Sequence, residues 1–239
     1  MSRSPDDLVP AAGRPVVAAF DFDGTLTEGG SVWPFLAAVA GPWAVARAAA
    51  GLLPALVRAA VLGGHHADTA KEALFARTLT GRDAAEVAAQ AAVFGRAHYQ
   101  RHRRPDLHRR LEWHRRQGHR LVIVSASPEL YLRPVAEELG VDGVVATRLA
   151  VGPDGRLTGR YDGLNCRGSE KMDRLRRWIE TAGAAQADGD EPFVWAYGNS
   201  GGDRQLLAGA DVGVDVGKLG RFGKLRRFPR LRQVPDADL

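Results

Sequence analysis

The feature that most constrains this chain is a short apolar strand followed at once by two carboxylates. Residues 16–20 have the length and composition of a buried β-strand, and Asp21 and Asp23 come directly after them. On an extended strand end, residues two apart point the same way, so both carboxylates can converge on one ligand. Two like charges that close need a cation or a proton between them. Gly24 then allows the sharp turn that ends the strand.

The order of the predicted elements indicates an α/β fold. Four further apolar segments have strand character: residues 121–124, 144–147, 193–197 and 212–216. Helices are expected between them, including one that begins near Pro128 and ends at Leu139, and one over residues 168–182. This alternation predicts a Rossmann-like parallel sheet with helices on both faces. A hairpin is expected over residues 148–161, with its turn at residues 152–155.

Residues 29–100 interrupt this alternation and predict an all-helical cap inserted after the first strand. Between residues 29 and 64 the only charged side chains are Arg47 and Arg58, while prolines and glycines divide the segment into short helices. Three structures fit this segment: a membrane-spanning helix, a packed helical insert, or an insert that also touches a bilayer. Two longer helices are expected after it, at residues 67–79 and 83–100, the second capped by Asp83.

We therefore divide the chain into a core of residues 14–28 and 101–239 and a cap of residues 29–100, with residues 1–13 disordered. The core ends in a basic tail, residues 217–239. Apolar side chains recur there every three residues, with lysine and arginine between them: Leu219, Phe222, Leu225, Phe228 and Leu231. Two structures fit such a tail, one lying on an anionic membrane and one packed on the core with its arginines in solvent.

The net charge of +5 is unevenly distributed. Residues 101–120 carry eight arginines and four histidines, and Leu107, Leu111 and His114 give them a narrow apolar stripe. This pattern predicts a surface helix with a solvated basic face. Trp113 is the one aromatic residue among the arginines, which is too little to predict a nucleic-acid partner.

Cys166 is the single cysteine, so the chain forms no internal disulfide, and we interpret it as a structural thiol. The first fifteen residues lack the basic and apolar regions of a signal peptide. We expect a cytoplasmic protein that can also associate with the inner face of the membrane. His65, His66 and Asp68 resemble a metal cluster, but without a further ligand they predict a polar loop.

Polar groups follow several predicted strands and gather at one edge of a parallel sheet. They are Asp21 and Asp23, Ser125, Lys171 on the helix after the hairpin, and Asn199 with Asp203. Such a set suits phosphoryl transfer. One carboxylate attacks phosphorus, a divalent cation and a lysine neutralise the phosphoryl oxygens, and a second carboxyl group transfers protons.

Four motifs resemble those of the haloacid dehalogenase (HAD) superfamily of phosphohydrolases. They are residues 21–25 (Asp-Phe-Asp-Gly-Thr), residues 121–125, Lys171, and residues 198–203 (Gly-Asn-Ser-Gly-Gly-Asp). The position of the helical insert is similar to a type-1 cap. Residues 125–129 and 165–171 are similar to subfamily IB, which includes phosphoserine phosphatases and phosphatidylglycerophosphatase C.

The resemblance implies a role for each motif residue. Asp21 is expected as the nucleophile and Asp23 as the acid and base. Ser125, Ala126 and Lys171 are expected to bind the phosphoryl group, and a Mg²⁺ ion is expected on Asp21, Asp23, Asp203 and Asn199. Gly24, Thr25 and Ser127 are candidates for contact with the substrate.

Asn199 departs from the family pattern, which usually has aspartate there. The amide still offers an oxygen, but it removes one negative charge, so we expect weaker metal binding rather than loss of activity. We expect a phosphomonoesterase acting on a small or lipid phosphate ester. Two alternatives stay open: a phosphotransferase or mutase that uses the same phosphoenzyme, and a binding module with weak turnover that docks to membrane.

Overall fold

The strand that precedes the two carboxylates lies at the centre of a parallel sheet. The structure is a computed structural model and describes residues 13–182, 191–217, 225 and 227–234. Its strands are β1 (Val16–Phe20), β2 (Arg120–Pro128), β3 (Gly143–Thr147), β4 (Leu149–Val151), β5 (Leu157–Tyr161), β6 (Phe193–Gly198) and β7 (Val212–Asp215). Five of them form one sheet in the order β3-β2-β1-β6-β7, with every neighbouring pair parallel.

Helices cover both faces of this sheet and also form the insertion after β1. The helices are α1 (Val32–Ala40), α2 (Pro42–Ala50), α3 (Leu53–Leu62), α4 (Gly64–Leu79), α5 (Ala84–His102), α6 (Pro105–Arg116), α7 (Glu129–Leu139), α8 (Ser169–Thr181) and α9 (Arg204–Gly209). The predicted α/β fold with an all-helical insertion is therefore confirmed. The boundary at residue 100 stays a prediction, since α5 continues to His102.

Alternate residues of β1 face opposite layers of the fold. Val16, Ala18 and Phe20 join an apolar cluster that runs through α6, α7 and the inserted helices. Val17 and Ala19 join a second cluster formed with α8 and α9. Both faces of the strand are buried, which is the environment that a continuous apolar run requires in a parallel sheet.

The inserted helices pack on the sheet side that carries α7. Phe35 of α1 is fully buried, and its ring lies 4.9 Å from that of Tyr131 on α7. Gly95 lets α5 approach α7 closely, because a β-carbon there would come within 2.4 Å of the Tyr131 backbone oxygen. Asp83 caps α5 as predicted, accepting a hydrogen bond from the Glu86 amide at 2.9 Å.

The described residues contain no single helix long and apolar enough to cross a membrane. Helices α1 and α2 reach that length and apolarity only together, and they meet at a bend of 119°. Phe35, Leu36 and Val45 of these helices are buried in the core shared with α7. The geometry therefore favours a packed insert over a membrane-spanning helix, while an insert that also touches a bilayer stays a prediction.

The hairpin is confirmed as the antiparallel pair β4 and β5. The Gly152 amide donates to Arg156 O at 2.7 Å across its turn. The hairpin packs on α4, where the Tyr161 amide donates to Glu72 Oε1 at 3.0 Å. Through this contact the hairpin, which belongs to the core, packs against the inserted helices.

The polar loop predicted at His65, His66 and Asp68 is wrong, because these residues form the first turns of α4. Gly63 ends α3 with a positive φ of 61°, and the new helix starts directly after it. Thr69 Oγ1 donates to His65 O at 3.0 Å, as expected four residues along a helix.

Helix α6 has the predicted buried stripe of Leu107, Leu111 and His114, but Arg110 is buried with them. The Arg110 guanidinium stacks 4.0 Å from the centre of the Trp113 ring and donates to Tyr197 Oη at 2.7 Å. Part of the basic face is therefore structural.

The described part of the basic tail packs on the core. Leu225 is buried, Phe228 packs against the α8 and α9 cluster, and Leu231 packs against the opposite cluster. Arg230 Nη1 pairs with Asp215 Oδ2 at 2.6 Å. Leu219 and Phe222 lie outside the described residues, as does the disorder predicted for residues 1–12. The geometry favours the packed tail over the membrane-bound one for the residues it covers.

Candidate active site

The carboxyl ends of β1, β2 and β6 bring the predicted polar groups together. Asp21 follows β1, Ser125 lies near the end of β2, and Asn199 follows β6. The Asp21 amide donates to Tyr197 O at 3.0 Å, which fixes the end of β1 against β6. Neighbouring parallel strands end at the same sheet edge, so the motifs meet there although they are far apart in sequence.

Lys171 is the cation at the centre of the site. It lies in the first turn of α8 and is 2% exposed. Its ammonium group donates to Asp21 Oδ1 at 2.6 Å and to Asp203 Oδ1 at 2.5 Å. Although burial lowers the pKa of Lys171, the carboxylates of Asp203 and Asp21 raise it above its ordinary value. Lys171 is therefore charged and lies between the two carboxylates, bound to both.

Asp203 accepts four hydrogen bonds from other groups of the chain. Besides Lys171 on Oδ1, its Oδ2 accepts from the Asn199 amide at 3.2 Å, the Ser200 amide at 2.9 Å and Ser200 Oγ at 2.8 Å. Burial raises the pKa of Asp203, but Lys171 and these donors outweigh it and leave the pKa below its ordinary value. In the structure Asp203 positions Lys171 and residues 199–200, and its predicted role as a metal ligand stays a prediction.

Asp21 accepts fewer hydrogen bonds than Asp203, and its pKa shifts in the opposite direction. Burial and the nearby charge of Asp203 raise the pKa of Asp21 to about 7, while Lys171 opposes them. The Thr25 hydroxyl donates to Asp21 Oδ2 at 3.4 Å. Asp21 Oδ2 is therefore the less neutralised oxygen of the pair.

Three oxygens converge beside Asp21. The outer end of the Asn199 amide lies 2.9 Å from the backbone oxygen of Asp23 and 3.2 Å from Asp21 Oδ2. With its NH₂ group turned inward, the amide donates to these oxygens. With its oxygen turned inward, it completes a set of three oxygen ligands. Gly24 is required beside it, since a β-carbon there would come within 2.2 Å of the amide.

This oxygen set fits a Mg²⁺ ion. Mg²⁺ takes oxygen ligands in an octahedron at about 2.0–2.1 Å, which places adjacent ligand oxygens about 3 Å apart. The separations around Asn199 match that value. Among the described residues no three His, Cys, Asp or Glu side chains form a metal-binding group. The candidate set instead consists of one carboxylate, one backbone oxygen and one amide oxygen.

Asp23 belongs to a network of hydroxyl groups that links the core to the start of the inserted helices. Ser127 Oγ donates to Asp23 Oδ2 at 2.7 Å, and the Ser31 amide donates to Asp23 Oδ1 at 3.0 Å. Ser31 Oγ also lies 2.7 Å from Tyr131 Oη. Ser127, which the sequence indicates as a candidate substrate contact, therefore binds Asp23 and orients its carboxyl group.

Ser125 and Ala126 line the β2 side of the site. Ser125 is buried, and its Oγ accepts from the Ser127 amide at 3.2 Å, which leaves its hydroxyl hydrogen able to donate to a ligand. Ala126 O accepts from Lys71 Nζ at 2.8 Å. Lys71 comes from α4, and burial lowers its pKa to about 8 although Asp68 and Asp23 oppose that shift. A cation of the inserted helices therefore borders the predicted phosphoryl site.

Four contributors to the site were not predicted. They are Ser31, Lys71, Tyr131 and Asn165, all of which depend on contacts between distant segments. Asn165 accepts from Lys71 at 2.7 Å and donates to Asp68 Oδ1 at 2.6 Å. One signal for Lys71 exists in the sequence, since it is the only lysine before residue 171 in a chain that otherwise uses arginine. Cys166 is buried next to this group, and burial raises its pKa to about 11.

Comparisons with known proteins agree with the fold and with the predicted family. Residues 18–208 match the family model of haloacid dehalogenase-like hydrolases. Protein CicA of Caulobacter vibrioides is 38% identical over 199 residues, which are 83% of this chain and 84% of the relative. The chain therefore belongs to the haloacid dehalogenase-like hydrolase family.

Two solved structures show the same fold at low sequence identity. A Bordetella pertussis protein described as of unknown function has a TM-score of 0.73 at 23% identity, covering 91% of this chain and 98% of that one. A substrate-bound phosphoserine phosphatase has a TM-score of 0.59 at 16% identity, covering 87% of this chain and 90% of that one. The family and these likenesses define a hydrolase with an inserted helical cap.

Replacing Lys171 with methionine tests its structural role. Removing the cation leaves two buried carboxylates without the charge that they share, so we expect the free energy of unfolding to fall by about 3 kcal/mol or more. Arg176→Met, at an exposed position of the same helix, is the matched control and is expected to change it by about 0.5 kcal/mol or less. Urea denaturation followed by circular dichroism measures both. Equal free energies for the two variants would show that Lys171 does not hold the site together.

Proposed function

We propose that this protein is a Mg²⁺-dependent phosphomonoesterase that acts through a phosphorylated Asp21. The observation that carries the proposal is the position of Lys171, which donates to Asp21 Oδ1 while Asp21 Oδ2 converges with Asp23 O and the Asn199 amide on the other side of the carboxylate. A carboxylate between a lysine and a divalent cation is placed to attack an anionic phosphoryl group. Membership of a hydrolase family supports this chemistry.

The proposed reaction has two steps. In the first, an oxygen of Asp21 forms a bond to phosphorus while the bond from phosphorus to the leaving oxygen breaks, and Asp23 gives its proton to that oxygen. In the second, Asp23 takes a proton from water as the water oxygen attacks phosphorus. The bond to Asp21 then breaks, and phosphate leaves. Ser127 and the Ser31 amide keep Asp23 in place for both transfers.

Binding of the phosphoryl group falls to the chain around Asp21. Ser125 Oγ can donate to one phosphoryl oxygen, and Lys171 supplies positive charge beside the nucleophile. Mg²⁺, when bound, would be held by Asp21, Asp23 O and Asn199, and would neutralise charge on the phosphoryl oxygens. Thr25 orients the second oxygen of Asp21.

The substrate is proposed as a phosphate monoester, either small or carried by a lipid. A phosphoserine phosphatase shares this fold. Phosphoserine is therefore our example of a small, soluble phosphate ester. Lys71 borders the phosphoryl site from the inserted helices and is positioned to contact the leaving group. The features of subfamily IB and the predicted cytoplasmic location both remain proposals.

Replacing Asp21 with asparagine tests the proposed chemistry. The amide is a poor nucleophile, so we expect release of inorganic phosphate from p-nitrophenyl phosphate and phosphoserine in Mg²⁺ buffer to fall roughly thousandfold or more. Asp173→Asn, at an exposed position on α8, is the control and should keep full activity. Release of p-nitrophenol that depends on an added alcohol, with a new phosphate ester formed in place of inorganic phosphate, would favour a phosphotransferase. Equal turnover by wild type and Asp21→Asn would refute the enzyme proposal.

The proposed metal site is tested by two changes at Asn199. Asn199→Asp adds a negative charge to the oxygen set and is expected to raise Mg²⁺ affinity roughly tenfold, while Asn199→Ala removes an oxygen and is expected to lower it. The melting temperature as a function of Mg²⁺ concentration gives the affinity without relying on activity. An Mg²⁺ affinity for Asn199→Asp that is unchanged or weaker than wild type contradicts this ligand set.

A further inference from the structure

Helix α3 leaves an apolar face in solvent. None of its residues is buried, and Leu53, Val57 and Val61 are 59%, 55% and 77% exposed. They follow one another at intervals of four residues and therefore share one side of the helix. Trp43 on the preceding helix is 87% exposed. We name Leu53, Val57 and Val61 the α3 face. Exposed apolar groups of this size in one segment indicate a binding surface.

The charges around the α3 face have one sign. Residues 29–67 contain no aspartate or glutamate, and their only formal charges are Arg47 and Arg58, both exposed. A second copy of the chain on a twofold axis would bring the same arginines towards each other. An anionic bilayer surface instead complements both the apolar side chains and the arginines, and tryptophan is favoured at the level of the headgroups.

The length of α3 determines how it can meet a bilayer. Ten residues span about 15 Å of helix, about half of the hydrocarbon thickness, so α3 lies along the surface rather than across it. Within the protein α3 packs against α2 and α4, and its partly buried Leu56 packs on the core. The folded cap therefore holds α3 as a surface helix with its apolar side outward.

The carboxyl end of α3 lies beside the active site. Gly63 joins it to α4, and Arg167 Nη1 donates to Gly64 O at 3.2 Å. One and two turns later, Asp68 contacts Asn165 and Lys71 reaches Ala126 O, the neighbour of Ser125. The surface that α3 presents is thus next to the loop that borders the phosphoryl site.

We propose that the α3 face rests on an anionic bilayer, held by its apolar side chains together with Arg47 and Arg58. Docked in this way, the protein brings the border of its active site to phosphate monoesters carried by lipids. The docking stands independently of catalysis, whereas the lipid substrate rests on the proposed phosphatase function. The described tail residues Leu225 and Phe228 pack on the core and are not needed for this surface.

Vesicle flotation of the full chain tests the docking. The probes are vesicles of phosphatidylcholine alone and of phosphatidylcholine with phosphatidylglycerol. Wild type is expected to float with the anionic vesicles and to be released by high salt. The double variant Val57→Glu, Val61→Glu is expected to bind them roughly tenfold or more weakly. Val93→Glu, at a position on α5 that is 70% exposed, is the matched control and should bind as wild type does.

Two further measurements separate the outcomes. Turnover of soluble p-nitrophenyl phosphate should be equal in all three proteins, which shows that the variants are folded and the site is intact. Phosphate release from phosphatidic acid in anionic vesicles should fall in the double variant alone. Equal phosphate release by wild type and Asp21→Asn, with vesicle binding by wild type kept, would locate a failure in the catalytic proposal rather than in the docking.

Three results would overturn the docking proposal. One is wild type that does not float with anionic vesicles. Another is a double variant that binds as tightly as wild type. The third is wild type that forms a dimer by light scattering, with the double variant monomeric and neither bound to vesicles, because the α3 face would then be an interface between two copies of the chain.

Discussion

The contact on which this active site depends is the pair of hydrogen bonds that Lys171 makes to Asp21 and Asp203. The two carboxylates come from the ends of β1 and β6, and the lysine comes from α8 on one face of the sheet. Burial favours the neutral form of both carboxyl groups, and the cation opposes that effect on each of them. Lys171 therefore connects the folding of the sheet edge to the ionisation of Asp21, the proposed nucleophile.

As a result, the two oxygens of Asp21 have different neighbours. Oδ1 faces Lys171, while Oδ2 faces Thr25 and the outer end of the Asn199 amide. Asp203 keeps Lys171 in place and, through the Ser200 and Asn199 amides, also fixes the turn that carries Asn199. One buried carboxylate thus positions both the cation and the amide that flank the nucleophile.

A second network couples Asp23 to the inserted helices. Ser31 stands at the start of the insertion and contacts both Asp23 and Tyr131, and Lys71 of α4 contacts Ala126 O. Asp23, the proposed proton-transfer group, and Ala126 of the proposed phosphoryl site are therefore each contacted by a residue of the insertion. The α3 face, which we propose to meet a membrane, lies on the same set of helices.

The sequence was sufficient for the parallel sheet, the hairpin and the convergence of Asp21, Ser125, Lys171 and Asn199, because strand periodicity and motif order depend on local residues. The sequence was insufficient where contacts between distant side chains determine the structure. The spacing of α4 does not show that Lys71 turns towards Ala126, and nothing local reveals that four donors occupy Asp203. The start of α4 at Gly64 was missed because two histidines after two glycines are equally typical of a loop.

The most direct test of the account is to locate the phosphoryl group on the protein. Asp23→Asn should still accept phosphate from p-nitrophenyl phosphate, whose leaving group needs no protonation, but should hydrolyse the phosphoenzyme slowly because its base is missing. Acid quenching followed by peptide mass spectrometry is expected to find one phosphoryl group on Asp21, matched by a burst of one p-nitrophenol per enzyme. A phosphoryl group on another residue, or turnover of this variant with no phosphoenzyme, would contradict the account.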